Sequence, residues 1–387
     1  MRIGINALFL DRPETGSGQY TRNLLEALAK ADPTNEYLLF SPGPVPPIPN
    51  TQYPISNRAK LWFEQVAFPL ACHREGIDLA HVPYFASPLF STVPRVVTVH
   101  DLIPLILPAY RGSPLVRLYT RLVAAAARRA EAIITVSQAS QRDIVRYLHI
   151  PPERIHVTYE AAGEAFQPVE DEACPEPSRR TQLAAIRQKY ALPERYLLYL
   201  GGFDQRKNLS TLLRAFALLV NRQQHRVLSL SKEARLVIAG KLPGRDSPLF
   251  PDPRRLVEEL GLEERVVFTG WVAEEDKPAL LSGATAFVFP SLYEGFGLPP
   301  LEAMACGAPV IASNSSSLPE VVGEGGILVE PTDVEALAEA MEALLADDAL
   351  RADLRQRALA QAARFSWRQT ALETLAVYRK VIGGRNV

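Results

Sequence analysis

Twelve short apolar runs, each followed by a longer stretch with helical spacing, recur along the chain, and this alternation restricts it to one broad class of fold. The runs are rich in Val, Ile, Leu, Phe and Tyr and are continuously apolar rather than alternating, which is the pattern of strands covered on both faces in a parallel sheet. In the first half they lie near Ile3–Leu8, Tyr37–Phe40, Leu79–Val82, Val96–Val99, Ile133–Val136 and His156–Tyr159. In the second half they lie near Tyr196–Leu200, Leu236–Ala239, Val266–Phe268, Phe287–Phe289, Val310–Ala312 and Ile327–Val329. The expectation is an α/β protein with two Rossmann-like, doubly wound parallel-sheet domains. Residues 164–193 interrupt the rhythm with a stretch rich in proline, acid and arginine that includes DEACPEPSRR. That composition marks a linker or insertion at 166–192, between an N-terminal domain at 1–165 and a C-terminal domain at 193–365. A second irregular stretch, Gln223–Glu233, reads as an edge insertion.

At 387 residues and 47% hydrophobic content the chain is long enough to bury two cores. Its formal charge of −1 gives no global attraction to nucleic acid or acidic lipid. Cys72, Cys174 and Cys306 show neither a CxxC pair nor a metal spacing, so a reduced, cytoplasmic setting is expected. Met1 runs directly into IGINALFL without a basic leader and cleavage site, and no apolar run approaches the roughly 18 to 20 residues of a membrane span. The stretch around Arg117, Arg121, Arg128 and Arg129 is basic on part of its surface, which leaves peripheral contact with an inner membrane face open.

Residues 286–307 read AFVFPSLYEGFGLPPLEAMACG. A buried strand leads into Glu294, a glycine-bracketed turn, and a helix with Pro299 and Pro300 in its first turn and Gly307 at its end. Amides around Gly295, Phe296 and Gly297 are expected to point outward at the positive end of that helix, where an anion is favoured. Two exposed glutamates at this spacing are common, so Glu294 and Glu302 alone do not define a site. After the first strand of the second half, Arg206 and Lys207 put two cations beside a helix start: a bidentate fork and a compact charge suited to a diphosphate. Near the N-terminus, Gly16 and Gly18 open a helix continuing through Lys30, and a GxG alone usually means only a tight turn. His100, beside Asp101, falls at the carboxyl edge of the fourth strand, and its charge is expected to depend on that neighbour. Ser137 has the position of a helix cap.

The string from Glu294, continuing as Gly307-Ala308-Pro309-Val310-Ile311-Ala312-Ser313, resembles the EGFGLPxLEAMAxGxPVIAS signature of the retaining glycosyltransferases of family four. The resemblance implies a GT-B fold, in which two Rossmann-like domains face across a cleft and the last helix, here within 366–387, returns to the first domain. It implies that Glu294 contacts donor-sugar hydroxyls, that Glu302 binds the ribose, and that Gly295, Phe296, Gly297 and Leu298 meet the sugar and diphosphate. Arg206 and Lys207 match the family's RKN motif, whose basic residues neutralise the diphosphate. Many members have Gly-Arg where this chain has Gly202-Phe203, so one phosphate-contacting arginine is absent. Gly16 and Gly18 match a loop facing the donor phosphates and acceptor, His100 matches a histidine close to the donor sugar, and Val272 follows a strand where backbone groups read the nucleobase.

The implied reaction is transfer of a hexose from a nucleotide diphosphate sugar to an acceptor hydroxyl with retention, in polysaccharide or glycolipid synthesis. Glu294, His100, Lys207 and Arg206 are the expected catalytic set. Neither cofactor nor metal is expected, because two cations and a helix end replace a magnesium ion. The tract Asn314–Val322 resembles mannosyltransferase-like members and favours GDP-mannose, with UDP- and ADP-sugars open. The acceptor is a sugar or a lipid-linked sugar, and its pocket is assigned to the loops Pro42–Ala59 and Ile103–Pro114. Glycoside hydrolysis also uses two carboxylates but places them across the sugar from each other. A nucleotide-sugar epimerase of the same layout and a non-catalytic nucleotide-sugar-binding protein remain as alternatives.

Overall fold

The computed structural model describes residues 1–12, 15–42, 56–169, 177–224 and 234–384. Cys174, most of the loop Pro42–Ala59, part of the proline-rich stretch and most of Gln223–Glu233 lie outside them. The chain divides into two compact units, Met1–Glu160 with Ser366–Val387, and Ala161–Phe365.

The first unit holds β1 (Arg2–Asn6), β2 (Glu36–Phe40), β3 (Leu79–Val82), β4 (Arg95–Val99), β5 (Ala132–Thr135) and β6 (Ile155–Val157), in the order β2-β1-β3-β4-β5-β6. All of its ladders are parallel, with Ile3 opposite both Tyr37 and Leu79 and Val97 opposite Ile133. β3, β4 and β5 are buried at every residue, as their continuous apolar runs require. The C-terminal helix Trp367–Gly383 packs on the helix Gly16–Ala31 of this unit and buries Ala371, Leu375, Val377 and Tyr378. Its Tyr378 hydroxyl meets His81 Nδ1 at 2.6 Å, while His81 Nε2 meets Thr98 Oγ1 at 2.9 Å. Burial, with a smaller contribution from His100, pushes the His81 imidazole down to about 3, so it is neutral.

The second unit holds β7 (Leu197–Leu200), β8 (Leu236–Ala239), β9 (Val266–Gly270), β10 (Ala286–Phe289), β11 (Val310–Ser313) and β12 (Gly326–Val329), ordered β12-β11-β10-β7-β8-β9. Every ladder is again parallel. Each of the twelve apolar runs thus becomes a strand, with ends shifted by a few residues.

One stretch departs from the sequence reading. The range 166–192, expected to be a linker or insertion, contains the helix Pro177–Lys189. That helix buries Leu183 and Ile186, and Leu183 closes on Gly283, where an added Cβ would lie 2.8 Å from Leu183 Cδ1. The neighbouring Tyr190 hydroxyl donates to Asp276 at 2.6 Å. Its apolar residues are clustered at 183–186 instead of recurring at helical spacing, and the flanking prolines and charges hide it.

Candidate active site

The second sheet reverses its winding between β7 and β10, since β8 and β9 extend to one side of β7 and β10, β11 and β12 to the other. Open α/β sheets bind ligands beyond the strand carboxyl ends at such a reversal. The loop after β7 carries Arg206 and Lys207, and the loop after β10 carries Glu294. Strand order therefore brings together groups separated by 87 and 88 positions.

Glu294 is the hub. Its Oε2 accepts from Arg206 Nη1 at 2.6 Å, and its Oε1 accepts from Lys207 Nζ at 2.7 Å and from Ser291 Oγ at 2.6 Å. Arg206 Nη1 also donates to the Tyr293 carbonyl at 2.9 Å, and Asp204 Oδ1 lies 3.3 Å from Arg206 Nε. Lys207 Nζ sits 4.9 Å from the centroid of Phe289, adding a cation–π contact. The side chains of Glu294, Arg206 and Lys207 are only 11 to 13% exposed, so the charges are held in a low-dielectric setting. Burial would raise the Glu294 carboxyl, but Lys207 and Arg206 outweigh it and hold the group below the usual carboxylate range. The two cations occupy a short 3-10 turn, Gln205–Lys207, ahead of the helix Leu209–Gln224. Asn208 closes that turn in the left-handed region at φ 57 and donates to the carbonyls of Pro290, at 3.0 Å, and Pro331, at 2.6 Å.

The loop 294–297 differs from the exposed run of free amides expected from sequence. Glu294, Gly295, Phe296 and Gly297 are all buried, and Leu298 is half-buried. The serine tract after β11 folds over them: Ser316 Oγ accepts from Glu294 N at 2.8 Å, and Ser317 Oγ donates to the carbonyls of Glu294 and Phe296. Phe296 packs edge-on against Phe365, with centroids 5.9 Å apart. Gly297 precedes the helix Leu298–Ala305 at φ 125, and a Cβ there would lie 2.8 Å from Leu318 Cδ2. Glu302, on that helix, is 7% exposed. Val272 is buried two residues beyond β9, between exposed Trp271 and half-buried Ala273. Phe203, standing where many family members have arginine, is buried against Tyr199 and packs close to Gly240.

In the first unit Gly16 and Gly18 serve different ends. Gly16 is exposed with open space around it. Gly18 is buried, and a Cβ there would collide with the Arg12 carbonyl oxygen, so its missing side chain accommodates the chain's own backbone. Ser137 caps a helix, accepting from Ser140 N at 3.0 Å, and Ser140 Oγ donates to the His100 carbonyl at 2.8 Å. His100 Nδ1 lies 3.1 Å from Glu160 Oε1, and Nε2 lies 3.1 Å from the Pro83 carbonyl. Burial lowers the imidazole, but Glu160 outweighs it and the group is raised, with Asp101 a lesser contributor. The expected dependence on Asp101 is thus present but secondary to Glu160, a residue 60 positions away that sequence reasoning did not single out. Ser291, Ser316, Ser317 and Asn208 were likewise missed as supports, although the run of serines following an apolar strand was visible. The two remaining described cysteines, Cys72 and Cys306, are free and buried, and burial pushes both thiols up to about 12.

Residues 15–161 match the family described as Glycosyltransferase Family 4, and residues 184–361 match Glycosyl transferases group 1. The chain is 33% identical to O-antigen chain mannosyltransferase B of Escherichia coli over 95% of its own length and 96% of that protein. It is 37% identical to the serotype-specific mannosyltransferase WbdA of Escherichia coli over 71% of its length, spanning only 32% of that longer relative. Among solved structures, sucrose-phosphate synthase from Thermosynechococcus elongatus superimposes with a TM-score of 0.74 at 25% identity, covering 99% of this chain and 100% of that one. The two parallel sheets with their helices are therefore the GT-B architecture, and the chain belongs to the group 1, family 4 glycosyltransferases, in their mannosyltransferase-like branch.

Proposed function

We propose that this protein transfers a hexose, with mannose favoured, from a nucleotide diphosphate sugar to an acceptor hydroxyl, retaining the anomeric configuration and needing no metal ion. The observation that carries this reading is the buried Glu294 carboxylate gripped by Arg206 and Lys207 at the winding reversal of the second sheet. Glu294 allows two cations to sit side by side out of water, so they meet a diphosphate without reorganising, which is where electrostatic catalysis gains most. As the sugar–phosphate bond breaks, negative charge grows on the leaving diphosphate, and Arg206 and Lys207 are the groups assigned to stabilise it. The departing phosphate oxygen takes the acceptor proton on the same face. Glu302 is assigned to the ribose, Val272 to the base, His100 to the donor sugar, and Gly16 to the donor phosphate and acceptor side. GDP-mannose is the favoured donor because the relatives named as mannosyltransferases share this chain's pattern over much of its length.

The acceptor is a sugar or lipid-linked sugar of polysaccharide synthesis, in keeping with the O-antigen relative. No helix among the described residues is long and apolar enough to cross a membrane. The helix Pro114–Arg128 nevertheless exposes Leu115 and Leu118 beside Arg117 and Arg121, a combination suited to peripheral contact with acidic headgroups at the inner face of a membrane. Vesicles containing acidic lipid should co-sediment the protein at low salt, and loss of that binding in Leu115→Ser/Leu118→Ser tests the assignment.

The decisive experiment is thermal shift with GDP-, UDP- and ADP-sugars, followed by nucleotide release with and without an alcohol acceptor. A donor at 100 times its dissociation constant stabilises the folded state by about 2.7 kcal/mol. Binding of GDP-mannose with acceptor-dependent release of GDP is expected. Binding without any release would instead identify a nucleotide-sugar-binding protein.

A further inference from the structure

The first unit contains a His100–Glu160 contact whose carboxyl partner lies outside the residues so far assigned to the reaction. His100 presents Nδ1 to Glu160 Oε1 and Nε2 to the Pro83 carbonyl, both at 3.1 Å. Both neighbours only accept, and a neutral imidazole has one nitrogen without a proton, so a neutral ring would set a lone pair against an oxygen. Protonation at both nitrogens satisfies both contacts. The remaining surroundings hold the ring in place without competing for those protons. Tyr20 packs edge-on at 4.7 Å, and Ser140 Oγ fixes the His100 backbone through its carbonyl. The charged and titratable groups around it are Glu160, Asp101, Tyr20 and the neutral His81. Glu160 is 4% exposed and the His100 side chain 18%, so water screens the pair weakly.

We propose that Glu160 is a positioning residue that holds His100 as an imidazolium with both N–H groups committed, so that His100 acts as a fixed, charged element of the donor site and exchanges no proton during transfer. This rests on the reading above that His100 serves the donor sugar. The direction of the His100 titration, raised above the ordinary histidine value, agrees with the geometry. No bond is made or broken in this role. The proton transferred from the acceptor goes to the leaving phosphate, and His100 keeps both of its own.

The test follows the His100 ring nitrogens by NMR in the full chain between pH 5.5 and 8.5, alongside kcat/KM over the same range, for the wild type, Glu160→Gln and Glu160→Asp. In the wild type the ring is expected to remain doubly protonated at pH 7. Glu160→Gln is expected to titrate near or below the ordinary histidine value of about 6.5, to lose about tenfold in kcat/KM at pH 7.5, and to recover most of it near pH 5.5. Glu160→Asp, keeping the charge, should follow the wild-type profile. A neutral His100 in the wild type at pH 7, or a Glu160→Gln pH profile that superimposes on the wild type, overturns the proposal. If Glu160→Gln does not fold, the wild-type ring measurement and the Glu160→Asp profile decide. A wild-type protein that transfers no sugar defeats the functional reading separately; the ring measurement then still decides the charge state, imidazolium upholding the pairing and a neutral ring refuting it.

Discussion

Glu294 illustrates how much one residue can hold. Removing its charge leaves Arg206 and Lys207 buried beside each other, so Glu294→Gln should cost about 3 kcal/mol of stability at pH 7, as breaking a buried pair from one side does. The pH dependence has a definite sign. The folded carboxyl lies below its unfolded value of about 4.3, so its contribution is present above that value and lost as pH falls through the lowered folded value. Urea unfolding should therefore show the gap between wild type and Glu294→Gln closing below about pH 4, and a gap unchanged down to pH 2 would count against the pairing. His100 runs the other way: its raised folded value stabilises fully below about 6.5 and the contribution fades as pH climbs through the folded value. For function, Lys207→Ala should lower turnover by on the order of 10²-fold while near-ultraviolet circular dichroism stays native, because a charge-stabilising group is lost while Arg206 and Ser291 still hold the Glu294 carboxylate. Full activity in a folded Lys207→Ala protein would remove it from the reaction.

At the scale of elements, the turn into the helix Leu298–Ala305 is set by Gly297, whose φ of 125 excludes other residues on backbone grounds and whose neighbour Leu318 excludes them on steric grounds. Gly297→Ala should destabilise by about 1 to 3 kcal/mol and move Glu294 with the loop, detectable as a lowered melting temperature together with weaker donor binding. Ser137→Ala is the milder counterpart: loss of an N-cap costs about 1 kcal/mol, and donor affinity should change little. Proline and glycine placement located the helix and its glycine boundaries, because those residues act through local backbone geometry. Burial of the loop before it was not legible, since it depends on Ser316 and Ser317, which reach it from after a different strand.

On the whole-molecule scale, the C-terminal helix completes the first unit across a long sequence separation. It supplies Tyr378 to His81, 297 positions away, and Thr370 to the Tyr159 carbonyl, 211 positions away. Truncation after Phe365 should therefore strip protection selectively from β1, β3 and β4 in hydrogen exchange while β7, β8 and β10 keep theirs. Equal loss in both sheets would contradict the assignment of this helix to the first unit.

Local patterning alone determined the strand and helix alternation, the two-sheet class and the identity of the cationic and acidic residues, because apolar runs, proline and glycine act within a few residues of themselves. Tertiary structure decided which of them meet. Parallel strand order placed Arg206 and Lys207 against Glu294, and Glu160 against His100, across separations that no periodicity records. The charge of a buried group depends on burial and on its partner, and both are set only once the sheets have assembled.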